Sequence, residues 1–167
     1  MKLSLIRSDE IYDHLNCTWR VDKKDRTVVV TNTSHKSEEE NIRIPIGVAP
    51  YSFFFQGDYA IITSKEFDLI TIIKGKDCWK PFDITYSFDK NGPYYAVLSP
   101  NNKFILFADK DDSLKSIFIN DGVDFNSEVD IISENIKNIN EISFTEDYLI
   151  INQNIHLIIN DLKKYLT

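Results

Sequence analysis

The feature that most constrains this chain is a hairpin that keeps returning. Two short runs of Ile, Val, Phe, Tyr and Thr flank a tight turn. The clearest copy is Tyr51–Phe55, the turn Gln56-Gly57-Asp58, and Tyr59–Thr63. A second runs Tyr94–Ser99, Pro100-Asn101-Asn102, Lys103–Ala108, and a third runs Glu141–Thr145, Glu146-Asp147, Tyr148–Asn152. A weaker early copy has Cys17–Val21, Asp22–Arg26 and Thr27–Thr31. β-Branched and aromatic runs suit a pleated, half-buried surface, and Gly, Pro, Asn and Asp supply the turn conformations between them.

Further strands follow each hairpin: Ile42–Ile46, then Leu69–Lys74 and Phe82–Phe88, then Leu114–Ile119 and Val129–Ser133, and last Ile155–Asn160. The second strands begin at Thr27, Tyr59, Lys103 and Tyr148, which are 32, 44 and 45 residues apart. Four short strands recurring at roughly 40–45 residues is the rhythm of propeller blades. The chain therefore resembles the blades of β-propellers such as the WD-repeat proteins. Ser99-Pro100-Asn101-Asn102-Lys103 is similar to the Ser-Pro-Asp-Gly-Lys/Arg turn of many such blades, whereas the Gly-His and Trp-Asp dipeptides of the WD family are absent. The expectation is one all-β domain over 1–167. It has at least nine antiparallel strands in four-stranded meanders, and its blade-like units span about 17–46, 51–88, 94–133 and 141–160. A β-sandwich is the alternative. One short helix is expected over 8–16, where Ser8 caps, Asp9 and Glu10 fill the first turn, and Ile11 and Leu15 share a face.

Neighbouring side chains on a strand point to opposite faces, so Tyr51-Ser52-Phe53-Phe54-Phe55 and Tyr94-Tyr95 cannot all enter one core. Blades that pack on both faces accommodate them.

The net charge of −7 is concentrated late in the chain. Between Asp109 and Asp147, 11 acids meet only Lys110, Lys115 and Lys137. Such a surplus repels nucleic acid and anionic membrane surfaces, and it attracts and steers a basic protein. Asp109, Asp111, Asp112, Asp121, Asp124, Glu128 and Asp130 are the leading partner-binding candidates. The loop acids Glu38, Glu39 and Glu40, and the loop tryptophan Trp79 as an aromatic anchor, come second.

Catalytic and metal signatures are lacking. His14, His35 and His156 have no ligand-spaced partner, and Asp109-Lys110-Asp111-Asp112 does not continue as a calcium loop, since Leu114 and Asn120 stand where Gly and Glu are required. There is no nucleophile elbow and no phosphate-binding glycine loop. No metal or cofactor is expected. The N-terminal Met1–Glu10, its apolar run broken by Ser4 and stopped by Arg7, is not expected to act as a secretory leader, and no stretch reaches membrane-spanning length. Cys17 and Cys78 are thus expected as reduced thiols of a cytoplasmic protein.

In size, acidity and missing chemistry the chain resembles the cytoplasmic immunity proteins of bacterial contact-dependent and polymorphic toxin systems. That resemblance implies a non-enzymatic inhibitor that covers a basic toxin, such as a nuclease, with acids standing in for phosphates. The partner would be encoded by the neighbouring gene and bound by a monomer, one to one. A propeller-type interaction scaffold without a toxin and an enzyme of unfamiliar design are the other readings.

Overall fold

A computed structural model describes residues 11–14, 17–32, 41–74, 84–87, 92–119 and 128–167. Four small antiparallel sheets follow one another along the chain. The first contains β1 (Ile11–His14), β2 (Cys17–Asp22), β3 (Thr27–Asn32) and β4 (Ile42–Pro45). The second contains β5 (Tyr51–Gln56), β6 (Tyr59–Ser64), β7 (Leu69–Lys74) and β8 (Ile84–Ser87). The third contains β9 (Tyr95–Leu98), β10 (Phe104–Ala108), β11 (Leu114–Phe118) and β12 (Val129–Ser133). The last has three strands, β13 (Ile142–Phe144), β14 (Leu149–Ile151) and β15 (Ile155–Leu157), and a helical turn α1 (Lys163–Leu166) follows. Each sheet is a meander in chain order. The expected all-β, propeller-like architecture is what the chain adopts.

Both faces of the second sheet are buried, and the period of two sorts its side chains. In register across β5, β6 and β7 stand Phe54, Ile61 and Ile72, which pack with Ala96, Val97 and Leu98 of the third sheet. The alternate positions Phe53, Ala60, Ile62 and Ile73 join Trp19, Val28, Val30 and Ile44 of the first sheet. Burying each large side chain contributes roughly 1.5–3 kcal/mol, so the aromatic run stabilises two interfaces at once. Buried polar groups tie the same layers. The Ser52 amide donates to Thr63 Oγ1 at 3.0 Å, and Ser52 Oγ accepts the Ala96 amide at 3.3 Å.

The turn Ser99–Lys103 closes as its residues dictate. Ser99 Oγ donates to Asn101 Oδ1 at 2.7 Å and accepts the Phe104 amide at 3.0 Å. Asn102 takes a positive φ of 60°, which asparagine tolerates better than most residues.

Three expectations are corrected. Residues 11–14 of the segment expected as a helix form β1, pairing Ile11 to Arg20 and His14 to Cys17. The local i, i+4 signal loses to ladder pairing against a strand whose Trp19 is fully buried and donates Nε1–H to the His14 carbonyl at 3.0 Å. Cys17 thereby opens the second strand of its sheet, not the first. The second strands then begin at Cys17, Tyr59, Phe104 and Leu149, which are 42, 45 and 45 residues apart, so the irregular 32-residue interval came from the misplaced first unit. Second, the terminal strand is Ile155–Leu157 alone and pairs with β14, closing its own sheet. Third, Cys17 is disulfide-bonded and not a free thiol; Cys78, the chain's one other cysteine, lies outside the described residues.

No described helix is long and apolar enough to cross a membrane.

Candidate functional site

In an antiparallel meander the residue before the first strand and the turn between the second and third strands fall at the same end of the sheet. Here those segments from successive sheets surround a cavity of about 300 Å³. Tyr51 and Lys65 come from the second sheet, and Tyr94 and Lys110 stand at the equivalent places of the third. Ile139 and Asn140, just ahead of the last sheet, close the remaining side. The repeat itself therefore places two tyrosines and two lysines around one space.

Both lysine stems pass close to Gly92. A β-carbon there would lie 3.0 Å from Lys110 Cδ and 3.1 Å from Lys65 Cγ, so the stems of both lysines run over a bare backbone. Lys110 Nζ reaches Asp68 Oδ1 at 3.7 Å, while Lys65 has no ion-pair partner among the described residues. Tyr94 Oη accepts the Ile139 amide at 3.1 Å, and burial pushes its pKa up. Tyr95 is 3% exposed and lines the same cavity. Its hydroxyl, beside the Ile142 backbone, completes no hydrogen bond of good geometry among the described residues, and burial pushes its pKa up strongly. A buried hydroxyl without a partner costs roughly 1–3 kcal/mol.

The predicted acids divide by environment. Asp109 is fully buried, and its carboxylate accepts the Gly92 amide at 2.8 Å, the Lys110 amide at 2.7 Å and Lys115 Nζ at 2.7 Å. It organises the β10–β11 turn and cannot present its charge to a partner, which corrects its place among the docking residues. Asp111 also accepts Lys115 Nζ, at 2.8 Å, and Asp112 lies 3.8 Å from Lys137 Nζ. Burial works against the Lys115 charge, but its hydrogen bonds to Asp109 and Asp111 outweigh that penalty and raise its pKa. Burial likewise opposes the Asp111 carboxylate, and the bonds from Lys115 and Ser113 more than compensate, so its pKa falls.

Glu128 is exposed, and Asp130 lies 3.3 Å from Lys164 Nζ. Val129 pairs with Ile117 and Ser133 with Leu114, so Glu128 stands at the end of the third sheet opposite Asp111 and Asp112. At about 3.3 Å per residue, that is more than 10 Å away. Acids that are near in sequence thus serve two ends of the sheet. Asp121, Asp124, Glu38, Glu39, Glu40 and Trp79 lie outside the described residues. Among the described residues no group of three or more His, Cys, Asp or Glu side chains is placed to hold a metal ion.

No protein-family model and no curated protein matches the sequence. Solved structures do match the fold. Hsv2 of Kluyveromyces lactis, a β-propeller, superposes with a TM-score of 0.52 at 11% identity, over 81% of this chain and 40% of its own. A Bacteroides uniformis protein provisionally named a 6-phosphogluconolactonase superposes with a TM-score of 0.52 at 15% identity, over 84% of this chain and 46% of its own. The likeness is one of fold. The chain spans less than half the length of either structure.

The cavity was not legible as a site, although its signal was present. Pro50-Tyr51 recurs as Pro93-Tyr94, and Lys65 recurs as Lys110. The offsets are 43 and 45 residues, so the match emerges only when the two ends of each hairpin are aligned separately, and reading the residues for chemistry one at a time misses it.

Proposed function

We propose that this chain is a propeller-like binding protein whose third and fourth sheets present acids to a basic protein partner. One observation carries this reading: Glu128, Glu134, Glu141, Glu146 and Asp147 all reach solvent and have no ion-pair partner among the described residues. Their charge is left for an incoming cation, whereas Asp109 and Asp111 are committed to Lys115. Charge of this kind steers encounter more than it strengthens the final complex.

The narrower form of the proposal is an immunity protein that blocks a basic toxin encoded beside it. Size, acidity and the lack of recognisable catalytic motifs support it, as does the open display of unpaired acids. The test is to purify the neighbouring gene's product and measure its association by stopped flow from low to high salt. An association rate that falls steeply as salt screens the charge supports the reading, since the Debye length shrinks from about 10 Å at 0.1 M to about 3 Å at 1 M. No complex with that product removes the toxin form. A complex whose rate ignores salt removes the acidic surface.

Cytoplasmic action belongs to the same proposal and requires Cys17 to be reduced in the cell, because disulfides persist in oxidising compartments. Quenching cells in acid, alkylating the denatured protein without reductant and reading Cys17 by mass spectrometry decides this, since the folded chain buries Cys17. A modified Cys17 keeps the encounter in the cytoplasm, and a protected one moves it outside.

A further inference from the structure

We propose that the cavity between the second, third and fourth sheets binds a small organic oxyanion, a carboxylate or phosphate ester with an apolar body. Lys65 and Lys110 would meet its charge, and the Tyr95 hydroxyl would donate to it. This does not rest on the acidic docking surface, and the two can fail separately.

Three observations converge on it. First, about 300 Å³ lies at the low end of the range for ligand cavities. Its walls include Pro50, Tyr51 and Ile139, which suit an apolar body. Second, the stems of two lysines that line the cavity pass close to Gly92, and a β-carbon there would crowd both. Lys65 has no counter-charge among the described residues. An unpaired cation beside a paired one, at the rim of a cavity in a chain of net charge −7, runs against the overall field. Third, the Tyr95 hydroxyl is buried beside the Ile142 backbone and completes no hydrogen bond of good geometry among the described residues. Tyr95 itself lines the cavity, so a small turn of its ring would let this donor reach a ligand oxygen.

The charges facing the cavity also limit what it takes. Asp112 lines it, paired to Lys137 at 3.8 Å, and Asp68 leans on Lys110 at 3.7 Å. A dense polyanion such as a nucleic acid backbone would meet those acids. Glu141 stands close enough to Tyr95 to raise its pKa, so a single oxyanion held chiefly by Lys65 suits the site better than a polyanion.

The test uses the whole chain with phenyl phosphate, benzoate and the neutral benzyl alcohol as probes, followed by calorimetry and thermal shift. At least one anionic probe should bind with a Kd at or below the millimolar range and raise the melting temperature, while benzyl alcohol should not. The preferred anion tells a phosphate site from a carboxylate site. Lys65→Gln should weaken binding about tenfold, and Gly92→Ala should weaken it by displacing both lysines. Tyr95→Phe should weaken it several-fold while leaving the ligand-free melting temperature unchanged or higher, which separates loss of a ligand contact from loss of fold. Failure of both anions to bind, equal binding of benzyl alcohol, or unchanged affinity in Lys65→Gln and Tyr95→Phe overturns the proposal.

Discussion

The β10–β11 turn and the β13–β14 turn are both acidic, and they use their acids in opposite ways. In the first, Asp109 is buried and Asp111 half-exposed, and both close on Lys115. In the second, Glu146 and Asp147 stand exposed, and the turn is held by Thr145, whose Oγ1 accepts the Tyr148 amide at 2.9 Å. One set of carboxylates is internal structure and the other is free surface charge. Counting acids along a chain therefore overstates the field a partner meets, because some of that charge is neutralised at short range inside the fold.

The largest expected effect tests the buried half of this contrast. Asp109→Ala leaves Lys115 buried without its closest counter-ion and frees the Gly92 and Lys110 amides. Breaking a buried pair from one side costs about 3–5 kcal/mol, so urea unfolding should show a loss in that range. Asp109→Ala with Lys115→Met should recover a good part of it. Since Lys115 has a raised folded pKa, the pair's contribution is whole below the ordinary lysine value near pH 10.4. It is lost as pH rises through the folded value, and Asp109→Ala should show a smaller alkaline limb, with Asp111 alone favouring the charged ammonium. A loss under 1 kcal/mol would mean that the turn does not depend on the pair.

The next effect tests the exposed half. Neutralising Glu128, Glu146 and Asp147 together should slow association with the basic partner about tenfold at low salt, equivalent to about 1.4 kcal/mol, with the difference vanishing at 1 M. Asp111→Asn should change the rate less, because its charge is already shared with Lys115. If Asp111→Asn proves the more damaging, the division between structural and available acids is wrong.

Much of the fold was legible because it is written locally. Ser99-Pro100-Asn101-Asn102 specifies its turn through side chains within five residues, and the run Tyr51–Phe55 announces two buried faces by having too many aromatics for one. β1 was not legible, since Ser8, Asp9 and Glu10 give a local helix signal, whereas the pairing of Tyr12 to Trp19 depends on a strand that local signals do not show. Helix α1 was missed for a related reason. Its four residues are anchored from outside, by Tyr165 edge-to-face with Phe104 at 4.9 Å between ring centres and by the Asn101 side chain donating to the Lys164 carbonyl at 2.6 Å. The acids were legible as charge but not as roles, because burial of Asp109 follows from the depth of a turn and not from its composition.

The smallest expected effect marks where the buried network ends. Asp112 sits one residue beyond Asp111 in the same turn, at a positive φ of 62°, and its carboxylate lies 3.8 Å from a Lys137 ammonium that is 75% exposed. A pair that open gains little Coulomb energy in water and gives up side-chain freedom to form, so it contributes roughly 0–1 kcal/mol. Asparagine tolerates the left-handed backbone as readily as aspartate, so Asp112→Asn removes the charge without adding strain. The Asp112 backbone bonds, its amide to the Asp109 carbonyl at 3.1 Å and its carbonyl to the Ile136 amide at 2.8 Å, do not involve the side chain and persist. The expected change in urea midpoint corresponds to less than about 0.5 kcal/mol, and it should shrink further in 1 M salt. The comparison with Asp109→Ala then spans one turn of the chain and nearly the full range of what a carboxylate contributes. A loss above 1 kcal/mol that survives high salt would show that the ordered network extends through Asp112 to Lys137, and the boundary between structural and available acids would have to be redrawn outside the turn.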